Sequence, residues 1–196
     1  MTELVLRNRQ RTRPIRLPLL RCLATVLLSD LLSLRRYELA VHLVAAPEMA
    51  RVNQRFLDHA GSTDVITFDY TGEPDSPAAA AKGAPALAPQ RLHGEIFICI
   101  DDAVKQARQF RTTWQSELVR YLIHGVLHTL GYDDLRPANR SVMKREENHL
   151  LRALSRQFSF GQLATAGLAR ARKAPVANRP ASVSLSKPAR ATKVRQ

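Results

Sequence analysis

The stretch 123–135 reads IHGVLHTLGYDDL and contains two histidines four residues apart, followed by a glycine and two aspartates. Residues four apart on an α-helix project from the same face, with Cβ atoms roughly 5–6 Å apart, so His124 and His128 can approach one cation. Gly131 can adopt the left-handed conformation that ends a helix and turns the chain back. The segment therefore predicts a helix, a tight reversal and a metal site formed by both.

Asp134 is the third predicted ligand, because the reversal at Gly131 returns it beneath the two histidines. Asp133 is the alternative, since an aspartate one residue earlier could bind the metal or hydrogen-bond a histidine from behind. Two imidazoles and a carboxylate suit zinc, and three protein ligands leave a fourth position for water, as in catalytic zinc sites. We therefore predict one zinc ion per chain, bound by His124, His128 and Asp134. The alternative interpretation is a helix whose two histidines bind no metal.

Outward from this helix, short segments carry the periodicity of strands or of helices. Strand patterns cover residues 3–8, 37–44, 64–69 and 95–100, and helical patterns cover residues 17–32, 47–58, 101–110, 113–130 and 137–158. Four strands and about five helices in mixed order predict an α+β domain. The helix at 113–130 is apolar around most of its circumference, as a buried helix is. Thr112 and Gln115 at its start have the spacing of a capping box. The metal site is thus predicted on the central helix and the turn that follows it.

Two stretches have compositions that cannot support a packed core. Residues 71–90 (TGEPDSPAAAAKGAPALAPQ) are rich in proline, alanine and glycine, which predicts a flexible insert. Residues 161–196 carry eight lysines or arginines and no acidic residue, which predicts a disordered basic tail. We therefore expect one domain over residues 1–160, interrupted by the insert and followed by the tail.

The charge of the chain suggests a polyanionic partner. The net charge is +13, and the first 21 residues alone contain six arginines and one glutamate. Basic ends of this kind attract nucleic acid, although a tail that serves only solubility would have the same composition. The sequence has no run of about 18 apolar residues and begins with a polar, arginine-rich segment, which argues against membrane spanning and secretion. A cytoplasmic location is expected.

The central motif resembles two known signatures. It is close to the HExxHxxGxxH motif of zinc peptidases, but Gly125 stands where those enzymes have the glutamate that acts as general base. With glycine there, HGVLHTLGYDD resembles the HGxLHxxGYDH signature of the YbeY family, bacterial endoribonucleases of ribosomal RNA maturation. Residues 62–69 (STDVITFD) and 94–100 (GEIFICI) are similar to the TDVLSF and GDIxI strands of that family. The matches span roughly residues 37–151 and include Val52, Asn53, Glu117, Met143 and Glu147.

The resemblance implies a small mixed four-stranded sheet packed with helices around a metal cleft. It also implies a zinc-dependent, single-strand-specific endoribonuclease that acts on ribosomal RNA at the small ribosomal subunit, with no membrane and no small-molecule cofactor. No catalytic residue is assigned beyond the metal ligands. The family usually has a third histidine where this chain has Asp134, and an arginine where it has Leu57. Either another cation, such as Arg51 or Arg91, supplies the missing positive charge, or the activity is altered.

Two alternative functions follow from the same residues. The first is a non-catalytic RNA-binding ribosome-assembly factor with a structural metal, and the second is a zinc hydrolase or peptidase acting on small substrates. Thr63 and Asp64 are expected either to line the site or to form the turn that enters a strand. Tyr132 is expected either to stack on a base or to pack against the core.

Overall fold

The computed structural model of the protein describes residues 2–71, 91–165 and 191–193. The elements in chain order are β1 (Thr2–Asn8), α1 (Leu17–Thr25), β2 (Arg36–Val44), α2 (Ala46–Leu57), β3 (Val65–Asp69), β4 (Arg91–Cys99), α3 (Ile100–Phe110), α4 (Trp114–Thr129), α5 (Pro137–Gln157) and β5 (Ala191–Lys193). A π-helical segment, Val26–Leu31, continues α1, and a 3-10 turn, Phe160–Leu163, follows α5. Almost all of the predicted insert, 71–90, and most of the predicted tail, 161–196, lie outside the described residues.

The sheet is mixed, with its four longer strands in the order β1-β2-β4-β3. β1 and β4 both pair with β2 in parallel, and β3 pairs with β4 in antiparallel orientation. The three residues of β5 pair with the outer side of β3. With five α-helices around it in the described part of the chain, this sheet confirms the predicted α+β fold.

Helices cover both faces of the sheet, and the sheet separates two clusters of buried side chains among the described residues. The larger cluster contains the buried side chains of α1, α4 and α5 together with the alternate strand residues that face them. The smaller cluster lies under α2 and centres on Met49, Phe68 and Phe97. Among the described residues, no helix is both long enough and apolar enough to cross a membrane.

Helix α4 is the centre of the fold because it packs against β3, β4, α3 and α5 at once. Its N-terminus is capped by Thr113, whose hydroxyl accepts a hydrogen bond from the Ser116 backbone N–H at 3.2 Å. The predicted cap, Thr112, instead donates its hydroxyl hydrogen bond to Glu117. The capping position is therefore one residue later than the sequence suggested.

Gly125 allows α4 to lie directly on the sheet. A Cβ atom at this position would be 2.7 Å from Ile96 Cγ2 and 3.3 Å from Val65 Cγ1. A side chain here would point into the apolar layer between helix and sheet. The glutamate that zinc peptidases have at this point of their motif could not be accommodated.

We expect Gly125→Ala to lower the free energy of unfolding by about 1–3 kcal/mol, because the new methyl group must displace branched side chains of a packed layer. Gly161→Ala is the matched control, since a Cβ there would meet nothing within 4 Å. Urea unfolding of both variants checks the prediction. Equal midpoints for the two variants would show that the layer between α4 and the sheet is looser than described.

His42 in β2 is a core residue rather than a ligand. Its ring stacks on Phe97, with centroids 4.5 Å apart and planes 14° from parallel, and neither ring nitrogen has a hydrogen-bond partner within the described chain. Burial, and then the positive charges of Arg7 and Arg9, lower the pKa of His42 to about 4. The side chain is therefore neutral at pH 7.

This depressed pKa predicts a loss of stability in mild acid. As the pH falls from about 6.5, the unfolded chain takes up a proton at His42, whereas the folded protein resists protonation until about pH 4. The free energy of unfolding should therefore fall over this window, by roughly 2–3 kcal/mol from this residue. His42→Leu should retain that much more stability at pH 4.5 than the wild type does, both relative to pH 7, in urea unfolding of metal-free protein. His59→Leu, at an exposed histidine, should keep the wild-type pH dependence.

Candidate metal centre and cleft

Helix α4 carries His124 and His128 on one face, and the turn after it brings Asp134 to them. The two rings meet edge to face, with centroids 4.7 Å apart. Asp134 Oδ1 lies 3.9 Å from His128 Nε2, and one ligand atom from each of the three residues falls within 4.8 Å of the others. This His/His/Asp group could hold a metal ion.

The reversal depends on Gly131, which has a φ of +89°. Its backbone N–H donates to the carbonyl of His128, and the N–H of Tyr132 donates to the carbonyl of Leu127, both at 3.0 Å. This pair of bonds is the Schellman motif, which satisfies the last carbonyls of a helix and requires a left-handed residue. Gly131 therefore ends α4 as the sequence predicts.

The two aspartates after the turn have different roles. Asp133 is half-buried and accepts hydrogen bonds from the Leu135 backbone N–H at 2.9 Å and the Asn139 side chain at 3.1 Å. These two bonds lower its pKa. Asp134 is buried and lies with the histidines, and its backbone carbonyl accepts a hydrogen bond from Arg140. Of the two alternatives, Asp133 stabilises the turn and Asp134 faces the candidate site.

Glu147 of α5 supports His124 from behind. Its Oε2 lies 3.0 Å from His124 Nδ1, and its other oxygen contacts Arg120 and, at 3.5 Å, Lys144. Burial raises the pKa of Glu147, but the hydrogen bonds from His124 and Arg120 and the charge of Lys144 outweigh it and hold the pKa at about 2. A carboxylate at Nδ1 fixes the ring and leaves Nε2 to face an ion, as is usual for metal-ligating histidines.

His128 has the properties of a metal ligand. Its Nε2 is buried and has no hydrogen-bond partner among the described residues. Burial, and then the proximity of His124, lower the pKa of His128 to about 4. The neutral ring therefore presents a lone pair that nothing else satisfies. Together with Asp134 and the supported His124, it forms a donor set that fits a divalent metal ion.

The candidate site opens into a cleft of about 460 Å³ between α3, α4 and α5. Three cationic side chains line it, namely Arg120, Arg140 and Lys144. Arg120 lies one helical turn before His124, and its side chain is 25% exposed. Four acidic side chains line the cleft as well, namely Asp64, Glu117, Asp134 and Glu147. The described cleft therefore combines a possible metal centre with both basic and acidic side chains.

The cations that the sequence suggested do not line this cleft. Arg51 is exposed on α2, and Arg91 lies 3.7 Å from Glu38. Leu57 packs at the edge of the smaller core cluster. Arg120 was missed although the signal was present, because a residue four positions before His124 shares its helical face.

The remaining sequence candidates are placed as follows. Asp64 lines the cleft and also forms the strand-entry turn, accepting hydrogen bonds from the Val65 backbone N–H and the Thr63 hydroxyl at 2.9 and 3.0 Å. Thr63 does not line the cleft. Tyr132 is half-buried and packs against the larger core cluster.

Comparison with known proteins links this arrangement to one family. The family model of YbeY, described as Endoribonuclease YbeY, matches residues 6–155. The Endoribonuclease YbeY of Salinibacter ruber is 36% identical over 104 residues, which are 53% of this chain and 62% of that protein. The Endoribonuclease YbeY of Phocaeicola vulgatus is 34% identical over 118 residues, which are 60% of this chain and 74% of that protein.

A solved structure is similar in fold. The solution structure of TM1509 from Thermotoga maritima has a TM-score of 0.55 and 23% sequence identity, and the match covers 79% of this chain and 91% of that one. The chain spans 62% of the length of the Salinibacter relative, whereas the family model covers most of this chain, from β1 to α5. The chain therefore belongs to the YbeY family.

Proposed function

We propose that this protein is a zinc-dependent, single-strand-specific endoribonuclease that acts in ribosomal RNA maturation. The observation that carries the proposal is the group formed by His124, His128 and Asp134, which stands at a cleft with arginine and lysine side chains in its lining, in a chain of an endoribonuclease family. Ribosomal RNA at the small ribosomal subunit is the proposed substrate, and the cytoplasm, where ribosomes are assembled, is the proposed compartment.

His124, His128 and Asp134 would hold the ion, with Glu147 fixing the first ring. When bound there, zinc supplies a Lewis acid that polarises a phosphoryl oxygen and makes a water or a hydroxyl group a stronger nucleophile. With two neutral imidazoles and one carboxylate as ligands, a zinc ion would keep a net positive charge, which favours binding of a phosphodiester.

Arg120 is placed to stabilise the negative charge that develops on the phosphate. Its guanidinium lines the cleft next to His124 and is held by hydrogen bonds to Glu147 and Asn148. A donor that is already oriented needs no reorganisation as the charge develops, and this is the main source of such stabilisation. Arg140 and Lys144 are available for flanking phosphates, and the Lys144 side chain is 61% exposed. RNA binding should therefore weaken steeply as the salt concentration rises.

Peptidase chemistry is not favoured by the same cleft. A peptidase of this motif needs a carboxylate base beside the first histidine, and Gly125 has space for none. The acidic side chains that line the described cleft already have partners or a role. Glu117 accepts from Thr112, and Glu147 is bound to His124 and Arg120. Asp64 accepts from Thr63 and Val65, and Asp134 belongs to the candidate metal group. The assembly-factor alternative is distinguished by experiment.

The test is metal removal and restoration with cleavage of end-labelled RNA as the readout. We expect about one zinc per chain by elemental analysis, cleavage of single-stranded RNA but not of its duplex, loss of cleavage with a chelator and recovery with zinc. Zinc present without cleavage of single-stranded or ribosomal RNA would favour the assembly factor. Cleavage that persists in metal-free protein would contradict the proposed chemistry.

A further inference from the structure

Phe110 is an exposed aromatic side chain at the wall of the cleft. Its side chain is 59% exposed, and it lines the cleft together with Arg120 and Met143. An exposed apolar side chain at a cleft of ligand size indicates a binding contact more strongly than the same side chain elsewhere on the surface. The cleft volume of about 460 Å³ falls within the roughly 300–1,000 Å³ typical of small-ligand sites.

The position of Phe110 on α3 follows from the apolar stripe of that helix. Ile100, Ala103 and Ala107 are 0, 0 and 7% exposed, and Phe110 continues the same stripe by one further turn. The stripe runs beyond the core at this turn and ends at the cleft. Phe110 is therefore aligned with buried residues and yet is not covered.

Backbone contacts fix the end of the helix that carries this side chain. α3 ends at Phe110, and Arg111 adopts the left-handed conformation at φ +55°. The N–H of Thr112 closes the turn on the carbonyl of Ala107 at 2.9 Å. A phenylalanine has only two side-chain torsions, so a ring on a fixed helix end can contact a flat partner at little cost in entropy.

We propose that Phe110 is the platform on which one unpaired nucleobase stacks when RNA enters the cleft. This inference rests on the proposed function and adds the part of the substrate that the cleft would recognise, an unpaired base. The face of an aromatic ring accepts any base, and stacking on such rings is how single-stranded RNA is commonly held. The cations of the cleft contact phosphates, so aromatic and cationic groups match the two parts of a nucleotide. Bases in a duplex are already stacked and cannot bind this ring.

The test compares RNA affinity of Phe110→Ala, Phe110→Trp and the wild type, in metal-free and zinc-loaded protein. Fluorescence anisotropy with a labelled single-stranded octanucleotide should show that Phe110→Ala binds roughly 5- to 150-fold more weakly. Phe110→Trp should bind as the wild type does. Val142→Ala is the matched control, since Val142 is 47% exposed and does not line the cleft, and it should leave the affinity unchanged.

A scan with oligonucleotides that each lack one base identifies the stacking contact itself. For the wild type, removal of one particular base should weaken binding, and for Phe110→Ala the same removal should have no further effect. Equal scans for the two proteins, or equal affinities for intact RNA, would overturn the stacking role and leave Phe110 as a contact for a protein partner. If the wild type binds and cleaves RNA in that case, the proposed function stands without this inference. If the wild type does neither, both fail.

Discussion

His128→Ala is expected to lose its zinc and its RNA cleavage together. The substitution removes one of three protein ligands, and the two that are left cannot hold the ion in a fixed geometry. We expect zinc near one per chain in the wild type, only traces in the variant, and cleavage reduced by more than about 100-fold, since an open metal site supplies most of the chemistry in enzymes of this kind.

The control for this substitution is His59→Ala, which removes an exposed histidine outside the cleft. Zinc content and cleavage of His59→Ala should equal those of the wild type. Because His128 is buried, thermal unfolding of metal-free protein is measured beside the activity, and a variant that melts cooperatively near the wild type is suitable for comparison. Full cleavage by a zinc-free His128→Ala would refute the metal site.

Glu147→Gln is expected to weaken zinc binding by roughly 10- to 100-fold, which is the usual effect of removing the carboxylate behind a ligating histidine. A neutral amide fills the same space but no longer strengthens His124 as a donor, and among the described carboxylates it leaves Arg120 with only that of Glu117, 3.7 Å from its Nε. Cleavage at limiting zinc should therefore fall further than cleavage at saturating zinc.

The neighbouring Glu146→Gln is the matched control, because it changes the same charge on the same helix without lining the cleft. Competition with a chromogenic zinc chelator gives both affinities. If the two variants bind zinc equally well, Glu147 stabilises the packing of α5 but does not tune the ion.

The path of the chain around the site could be predicted from local signals. Two histidines four residues apart and a glycine stop are short-range features, so they predict the helix and its reversal at Gly131 directly. The strand bounds were less secure at β4, which begins at Arg91 rather than near Glu95. The extra residues alternate in burial, but Leu92 is the one large apolar side chain among them, and their place in the sheet rests on pairing with the start of β2.

What the sequence could not give depends on contacts between distant elements. Spacing favoured Asp134 over Asp133 as the third ligand, but the hydrogen bond of Asp133 to Asn139 of α5, which keeps Asp133 in the turn, could not be predicted. Glu147 fitted the family pattern, but its contact with His124 requires α5 to pack on α4. The helical spacing of Arg120 and His124 was visible in the sequence, but the contact of Arg120 with Glu147 and the position of Phe110 at the cleft depend on how α3 and α5 pack on α4.

The contact between Glu147 and His124 would also couple the motion of α5 to a metal ion bound at the candidate site. All three candidate ligands lie within eleven residues, whereas the carboxylate that orients the first one is supplied by another helix. A local opening that separates α5 from α4 would break the contact of Glu147 with His124 and so weaken metal binding. A bound ion would oppose that opening by mass action. Amide hydrogen exchange in α5 would slow as zinc is added, so that metal supply sets how often the wall of the cleft opens.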